Sequence, residues 1–141
     1  MKTNYLCGLF LLCVLVWGRS EAHAEKPLKT LDLYLCIGQS NMAGRGKLSP
    51  EVMDTLQNVY LLNADDQFEP AVNPLNRYST IGKGLSWQQV GPAYGFAKTM
   101  ATKKHPVGLI VNARGGSSIR SWVKNATQSG GYYDEAIRRA K

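Results

Sequence analysis

Residues 31–46 read Leu-Asp-Leu-Tyr-Leu-Cys-Ile-Gly-Gln-Ser-Asn-Met-Ala-Gly-Arg-Gly, and the change of character halfway along decides how the chain folds. The first half, residues 31–37, is short, apolar and bounded by Gly38, which reads as a β-strand. Its apolar run is nearly continuous rather than alternating, so it predicts a parallel strand covered on both faces. The second half turns abruptly to glycine, amide and hydroxyl. A buried strand ending in a tight turn holds Ser40 rigidly at the rim of a sheet, where a nucleophile belongs.

Upstream of this strand the chain has a different grammar. Lys2 precedes an apolar run over residues 5–17, and Ala22-His23-Ala24 is a small-x-small cleavage pattern. That is the layout of a secretory signal peptide over residues 1–24, with an apolar core too short to span a bilayer. Cleavage would leave residues 25–141 with no stable membrane insertion, in a secreted or periplasmic location. It would remove Lys2, Arg19 and Glu21 from the 17 basic and 10 acidic residues, leaving 15 and 9, a net charge of +6. The excess is scattered apart from Lys103-Lys104 and Arg138-Arg139. With no basic stripe interleaved with aromatics, nucleic acid is not an expected partner. Cys36 would be the one remaining cysteine, so no internal disulfide framework is possible and core packing is its expected role.

Downstream, strands and helices alternate. Ser49-Pro50-Glu51 can open a short helix, and residues 59–62 form a second strand. Residues 63–90 are loop-rich, punctuated by Asn73-Pro74, Gly82 and Gly84. Gly91-Pro92 starts an amphipathic helix whose apolar face runs through Tyr94, Ala97, Met100 and Ala101, with Lys103-Lys104 at its end. Pro106 stops it, residues 107–111 form a third strand, and residues 112–118 are a second glycine-rich turn. A last helix begins near Tyr132 and runs to the chain end without a stop signal. This is an α/β chain with a largely parallel sheet. Three short strands are few for such a sheet. The pattern therefore predicts the N-terminal part of a longer domain, incomplete at its C-terminus.

Two turns thus follow strands, Gly38-Gln39-Ser40-Asn41 and Asn112-Ala113-Arg114-Gly115-Gly116-Ser117-Ser118. In an open parallel sheet both lie on the carboxyl-end rim, where ligands bind. Ser40 offers a hydroxyl and its own N–H, and a neighbouring glycine turn offers a second N–H with no side chain in the way. A hydroxyl with converging N–H donors is the geometry of acyl transfer.

Other motifs fail on spacing. Gly46-Lys47 is followed by Leu48, with no glycine in P-loop register. Ser40 is followed at the second position by Met42, not the glycine of a nucleophile elbow. One histidine and one cysteine after residue 24 cannot assemble a zinc cluster, and no metal or cofactor is expected. His105 precedes the third strand and so falls on the rim opposite Ser40, too far to serve as its base.

Residues 37–44, Ile-Gly-Gln-Ser-Asn-Met-Ala-Gly, resemble the first block of the sialate O-acetylesterase-like branch of the SGNH hydrolases, which includes acetylxylan esterases of carbohydrate esterase family 6. Val90-Gly91-Pro92 leading into Phe96-Ala97 is similar to that family's next helix. Residues 108–111 followed by Gly115-Gly116-Ser117-Ser118-Ile119-Arg120-Ser121-Trp122 resemble its second block. The resemblance covers residues 31–141. It implies a three-layer α/β/α, flavodoxin-like fold, with Ser40 as nucleophile and an oxyanion hole made partly by the N–H groups of Ser40 and Gly115 or Gly116. It further implies removal of O-acetyl groups from carbohydrates of sialic acid or xylan type, through an acyl-enzyme and without a metal. The family's third block and its late Asp-x-x-His pair are not in this sequence. A catalytically inactive carbohydrate-binding remnant is therefore the alternative expectation.

Around this core, Gln39 and Asn41 are candidates for orienting the site or binding substrate, or for stabilising the turn. Arg114 and Arg120 are candidates for sugar or acid contacts or for structural pairing. Trp87 and Trp122 either stack sugars or pack the rim. Asn125-Ala126-Thr127 fits a glycosylation acceptor.

Overall fold

The strand on which the other elements are arranged is the third predicted one, not the first. The computed structural model describes residues 30–126 and 130–141. In it Val107–Ala113 is a seven-residue strand with every residue buried. Its Val, Leu, Ile, Val run suits a strand sandwiched on both faces. Numbered in chain order, β1 is Asp32–Gly38, β2 Val59–Leu62, β3 Phe68–Pro70 and β4 Val107–Ala113. The helices are α1 Ser40–Ala43, α2 Pro92–Met100 and α3 Tyr132–Arg139. Short 3-10 turns occupy Pro50–Val52, Leu85–Trp87 and Ile119–Trp122. Residues 1–24, read above as a signal peptide, and Thr127 of the predicted glycosylation acceptor lie outside the described residues.

The sheet order is β1-β4-β2-β3. β1 is parallel to β4 from Asp32↔Val107 to Gly38↔Ala113, and β2 is parallel to β4 from Val59↔Val107 to Leu61↔Leu109. The α/β class with a mainly parallel sheet is therefore observed. β3 is antiparallel to β2 and lies within the stretch read as loop. Three residues are too few to show an alternation, and Pro70 masks the strand further. The hairpin is set by Asn63, whose Oδ1 accepts from the N–H groups of Asp65 and Gln67, both at 3.0 Å. This is an Asx turn hidden among polar residues.

Two layers cover the sheet. On one face Val107, Leu109 and Val111 pack with Val59, Leu61 and the α2 residues Ala93 and Ala97. Alanines at i and i+4 let this helix approach the strand closely. They correct the predicted helix face: Ala97 and the half-buried Tyr94 and Ala101 belong to it, but Met100 is 47% exposed and Ala93 takes its place. On the other face Leu62 and Ile110 meet α3, which is anchored by Arg139, 5% exposed, donating to the carbonyls of Tyr78, Leu62 and Asn63.

A second correction concerns β1. Its apolar run predicts two covered faces, yet it is an edge strand among the described residues, with Leu33 53% and Ile37 36% exposed. Tyr34 and Cys36 turn toward the α2 face and are half-buried. Burial pushes the Cys36 thiol pKa up, which suits a packing residue. Apolarity reports what a strand can bury, not what stands over it. No helix of the described residues is long and apolar enough to cross a membrane.

Candidate active site

β1 ends at Gly38, and the chain turns at once into the single turn of α1, which Ser40 opens. Gln39 precedes it, its Oε1 accepting from both the Ser40 N–H at 2.7 Å and the Ser40 Oγ–H at 2.5 Å. One carboxamide oxygen thus holds both donors of the serine in place. Asn41 is exposed, and its side chain makes no hydrogen bond among the described residues.

The turn is pinned from behind. Arg45 N–H and Gly46 N–H both donate to Val90 O, and Val90 N–H returns a bond to Gly46 O. This bridge brings the backbones so close that a Cβ on Gly44 would stand 2.1 Å from Gln89 O, at a φ of +102°. Only glycine fits there.

The neighbouring turn leaves β4 beside it. Arg114 N–H donates to Gly38 O at 3.0 Å, tying the two strand ends together. Asn76 grips the end of β4 like an extra strand residue: its Oδ1 accepts from Ala113 N–H at 2.8 Å and its Nδ2 donates to Ala113 O at 3.0 Å. Asn112, fully buried, accepts from Ser79 Oγ and Thr80 N–H. The loop read from sequence as mere connection therefore buttresses the rim. Gly115 and Gly116 follow, their N–H groups without an acceptor among the described residues. A Cβ on Gly115 would lie 3.8 Å from Ser40 Cα and 3.9 Å from Ser40 Cβ, so the two turns meet at this glycine.

The structure thus brings Ser40, Gln39 and Gly115 together, with Gly116 next in the chain. Arg114 is engaged elsewhere: Nη1 donates to Ile81 O at 2.8 Å, and the guanidinium lies 5.7 Å from the Tyr132 ring centre. Trp122 packs at the rim, its Nε1 donating to Ser117 Oγ and its ring 5.6 Å from that of Tyr132. An apolar trench of about 280 Å³ runs alongside, lined by Ile37, Gly38, Gln39, Ser117, Ile119 and Trp122. A larger cavity of about 410 Å³ lies between β1 and α2 and does not include Ser40. His105 stands at the opposite end of the sheet, Nδ1 3.3 Å from Asp32 Oδ2, both exposed. Among the described residues no three His, Cys, Asp or Glu side chains gather as metal ligands would.

Sequence reasoning passed over Arg45. Its Nη1 donates to Gly44 O at 2.6 Å and Trp87 O at 2.9 Å. This leaves the guanidinium at the same glycine as Ser40: Nη2 would be 2.8 Å from a Cβ on Gly115. The arginine stands in the decisive stretch itself, but its partners are distant in the chain, so only the fold reveals its place.

Comparison with known proteins places this rim in context. The family model described as carbohydrate esterase, sialic acid-specific acetylesterase, matches residues 30–141. An Arabidopsis thaliana protein named a probable carbohydrate esterase is 26% identical over 142 residues, covering 88% of this chain and 52% of its own length. An X-ray structure of an Arabidopsis thaliana protein of the same designation superposes with a TM-score of 0.63 at 28% identity, over 77% of this chain and 49% of that one. The chain spans about half the length of the relatives it matches.

Proposed function

The chain belongs to the sialic acid-specific acetylesterase family of carbohydrate esterases, and on that premise we propose that it carries the nucleophile side of a secreted serine O-acetylesterase. The observation that supports this most directly is that the two turns meet, a Cβ on Gly115 lying 3.8 Å from Ser40 Cα, while the N–H groups of Gly115 and Gly116 have no acceptor among the described residues.

In this reading the Ser40 Oγ attacks the acetyl carbonyl of an O-acetylated sugar of sialic acid or xylan type. The carbonyl oxygen, gaining negative charge, takes the place of Gln39 Oε1 at the Ser40 N–H and accepts further from Gly115 or Gly116. Collapse breaks the bond from the acetyl carbon to the sugar oxygen, which leaves with the proton from Ser40. Water then cleaves the acyl-enzyme to acetate and restores the hydroxyl. Gln39 sets the rotamer of Ser40 in the resting site, and Asn41 contacts substrate from the exposed side of α1. His105 does not take the Ser40 proton, because β1 and β4 separate them. The acid–base pair is supplied from outside the described residues. The signal segment directs the protein to a secreted or periplasmic location.

The second reading, a sugar-binding rim without turnover, is favoured by the hydroxyl of Ser40 having only Gln39 as a partner among the described residues. Hydrolysis of p-nitrophenyl acetate and of an O-acetylated sugar decides between them. Ser40→Ala is expected to lower turnover by at least about a thousandfold. Undiminished turnover in that variant overturns the assignment, and no turnover in the unaltered protein favours the binding rim.

A further inference from the structure

The surroundings of Ser40 divide by chemistry. A Cβ on either rim glycine would meet a cation first, Arg45 Nη2 at 2.8 Å from Gly115 or Lys83 Nζ at 3.4 Å from Gly116. None of these four residues lines the apolar trench of about 280 Å³, which is bounded by Ile37, Gly38, Gln39, Ser117, Ile119 and Trp122. The trench lining contains no ionisable side chain. Its indole N–H, on Trp122, is spent on Ser117 Oγ at 3.0 Å, and Gln39 Oε1 is spent on Ser40. A sugar hydroxyl placed there would exchange water for few partners, which costs free energy, whereas an alkyl chain loses nothing by leaving water. Gln39, itself exposed, both lines the trench and holds the Ser40 hydroxyl, so the trench is continuous with the nucleophile. The space also far exceeds what the methyl of an acetyl group fills, about 30 Å³, much the same as a water.

We propose that the trench is the acyl side of the Ser40 site and that it takes acyl chains longer than acetyl, of roughly six to eight carbons at about 30 Å³ each. The proposal rests on the reading of Ser40 as an acyl-transfer nucleophile and widens the ester it cleaves from acetyl to medium-chain acyl. Once the acyl carbonyl oxygen takes the place of Gln39 Oε1 at the Ser40 N–H, the chain follows the space the carboxamide leaves, past Ile37 toward Ile119 and Trp122. The bonds made and broken are those of deacetylation. Ser40 Oγ joins the acyl carbon, the sugar oxygen leaves with the serine proton, and water releases a fatty acid in place of acetate. Ile119, 82% exposed, and Ile37 are covered by the chain, which gives two neighbouring exposed apolar side chains a use. The sugar keeps to the polar surroundings of Gly115 and Gly116.

Binding of the product acids tests this whether or not the chain turns over. Acetate, butyrate, hexanoate and octanoate are titrated against the whole chain and followed by amide and methyl NMR. Affinity is expected to rise about twofold per added methylene, against about fourfold for one fully buried, so that hexanoate binds about tenfold tighter than acetate. The same titration should move the Ser40 and Gly115 amides together with the Ile119 methyls. Ile119→Ser, at a position exposed enough to leave the fold intact, should flatten the rise, and Ile119→Leu should keep it. A flat series, a rise unmoved by Ile119→Ser, or no binding of any acid overturns the acyl trench. So does hexanoate that moves Met42 and Phe96 instead, which places it in the larger cavity between β1 and α2. A stable dimer whose interface protects Ile119 overturns it too, because a second copy then occupies the trench. Protein that shows the rise yet cleaves no p-nitrophenyl ester overturns the esterase reading alone. Protein that cleaves p-nitrophenyl acetate while binding shows no rise overturns the trench alone.

Discussion

β1 and β4 lie side by side, run in the same direction, and each ends in one of the two turns that make the rim. Their sequences look alike, but their surroundings do not. β4 is buried at all seven positions, whereas β1 exposes Leu33 and Ile37 along an edge. The turns differ in the same sense. The β1 turn offers side-chain chemistry, a hydroxyl tied to its neighbouring amide, while the β4 turn offers bare backbone. The stability of the rim is thus lodged mainly in one strand and its exposed hydroxyl chemistry on the other. A chain can vary what it presents on the exposed strand without disturbing the packing that holds the pair in register.

Beyond the loss of turnover in Ser40→Ala, the largest effect that breaks this comparison falls in the core. Leu109→Ala, at a position with no exposure, is expected to cost about 2–5 kcal/mol in urea unfolding. The matching truncation on β1, Leu33→Ala, should cost no more than about 1 kcal/mol. Equal losses at the two positions would mean that β1 is covered in solution.

Gly115→Ala sharpens the contrast between the turns. The new methyl would stand 2.8 Å from Arg45 Nη2 and in ordinary contact with Ser40, so the guanidinium must give way while the fold itself is little disturbed. Turnover should nonetheless fall by about tenfold, because a small displacement between nucleophile and donor is felt in the rate. Unchanged kcat would remove Gly115 from the site.

The smallest effect lies far from the rim. Arg138 grips Glu135 through Nε and Nη2 at 2.9 and 3.0 Å, which holds the Glu135 carboxyl below its ordinary pKa. A carboxylate pKa depressed by folding contributes stability above the unfolded-state value. That contribution fades as pH falls through the folded value. The loss should be slight in thermal melts below about pH 4 and should disappear in high salt, as expected for a solvent-exposed pair. Glu135→Gln should flatten it.

Much of this architecture is legible in the amino-acid sequence. The strands at residues 59–62 and 107–111 announce themselves by apolar and β-branched runs, and Ser40 by the break in character after Ile37. His105 falls at the foot of the sheet, as its place before a strand requires. What escaped was fixed by tertiary context. β3 is too short to carry a period, and β1 gives no sign of being an edge. Arg45 reaches Gly115 only because Val90 clamps the turn that bears it. Contacts of this kind join residues dozens of positions apart and leave no local pattern to read.

The clamp at Ala113 narrows what the chain can tolerate at position 76. Asn76 faces one backbone donor and one backbone acceptor at once, 37 residues away in sequence. An aspartate would keep the acceptor and lose the donor, a serine would fall short, and a glutamine would overreach by a methylene. In this geometry the position therefore admits a one-letter alphabet, written by the order of donor and acceptor on a strand that ends beside Ser40.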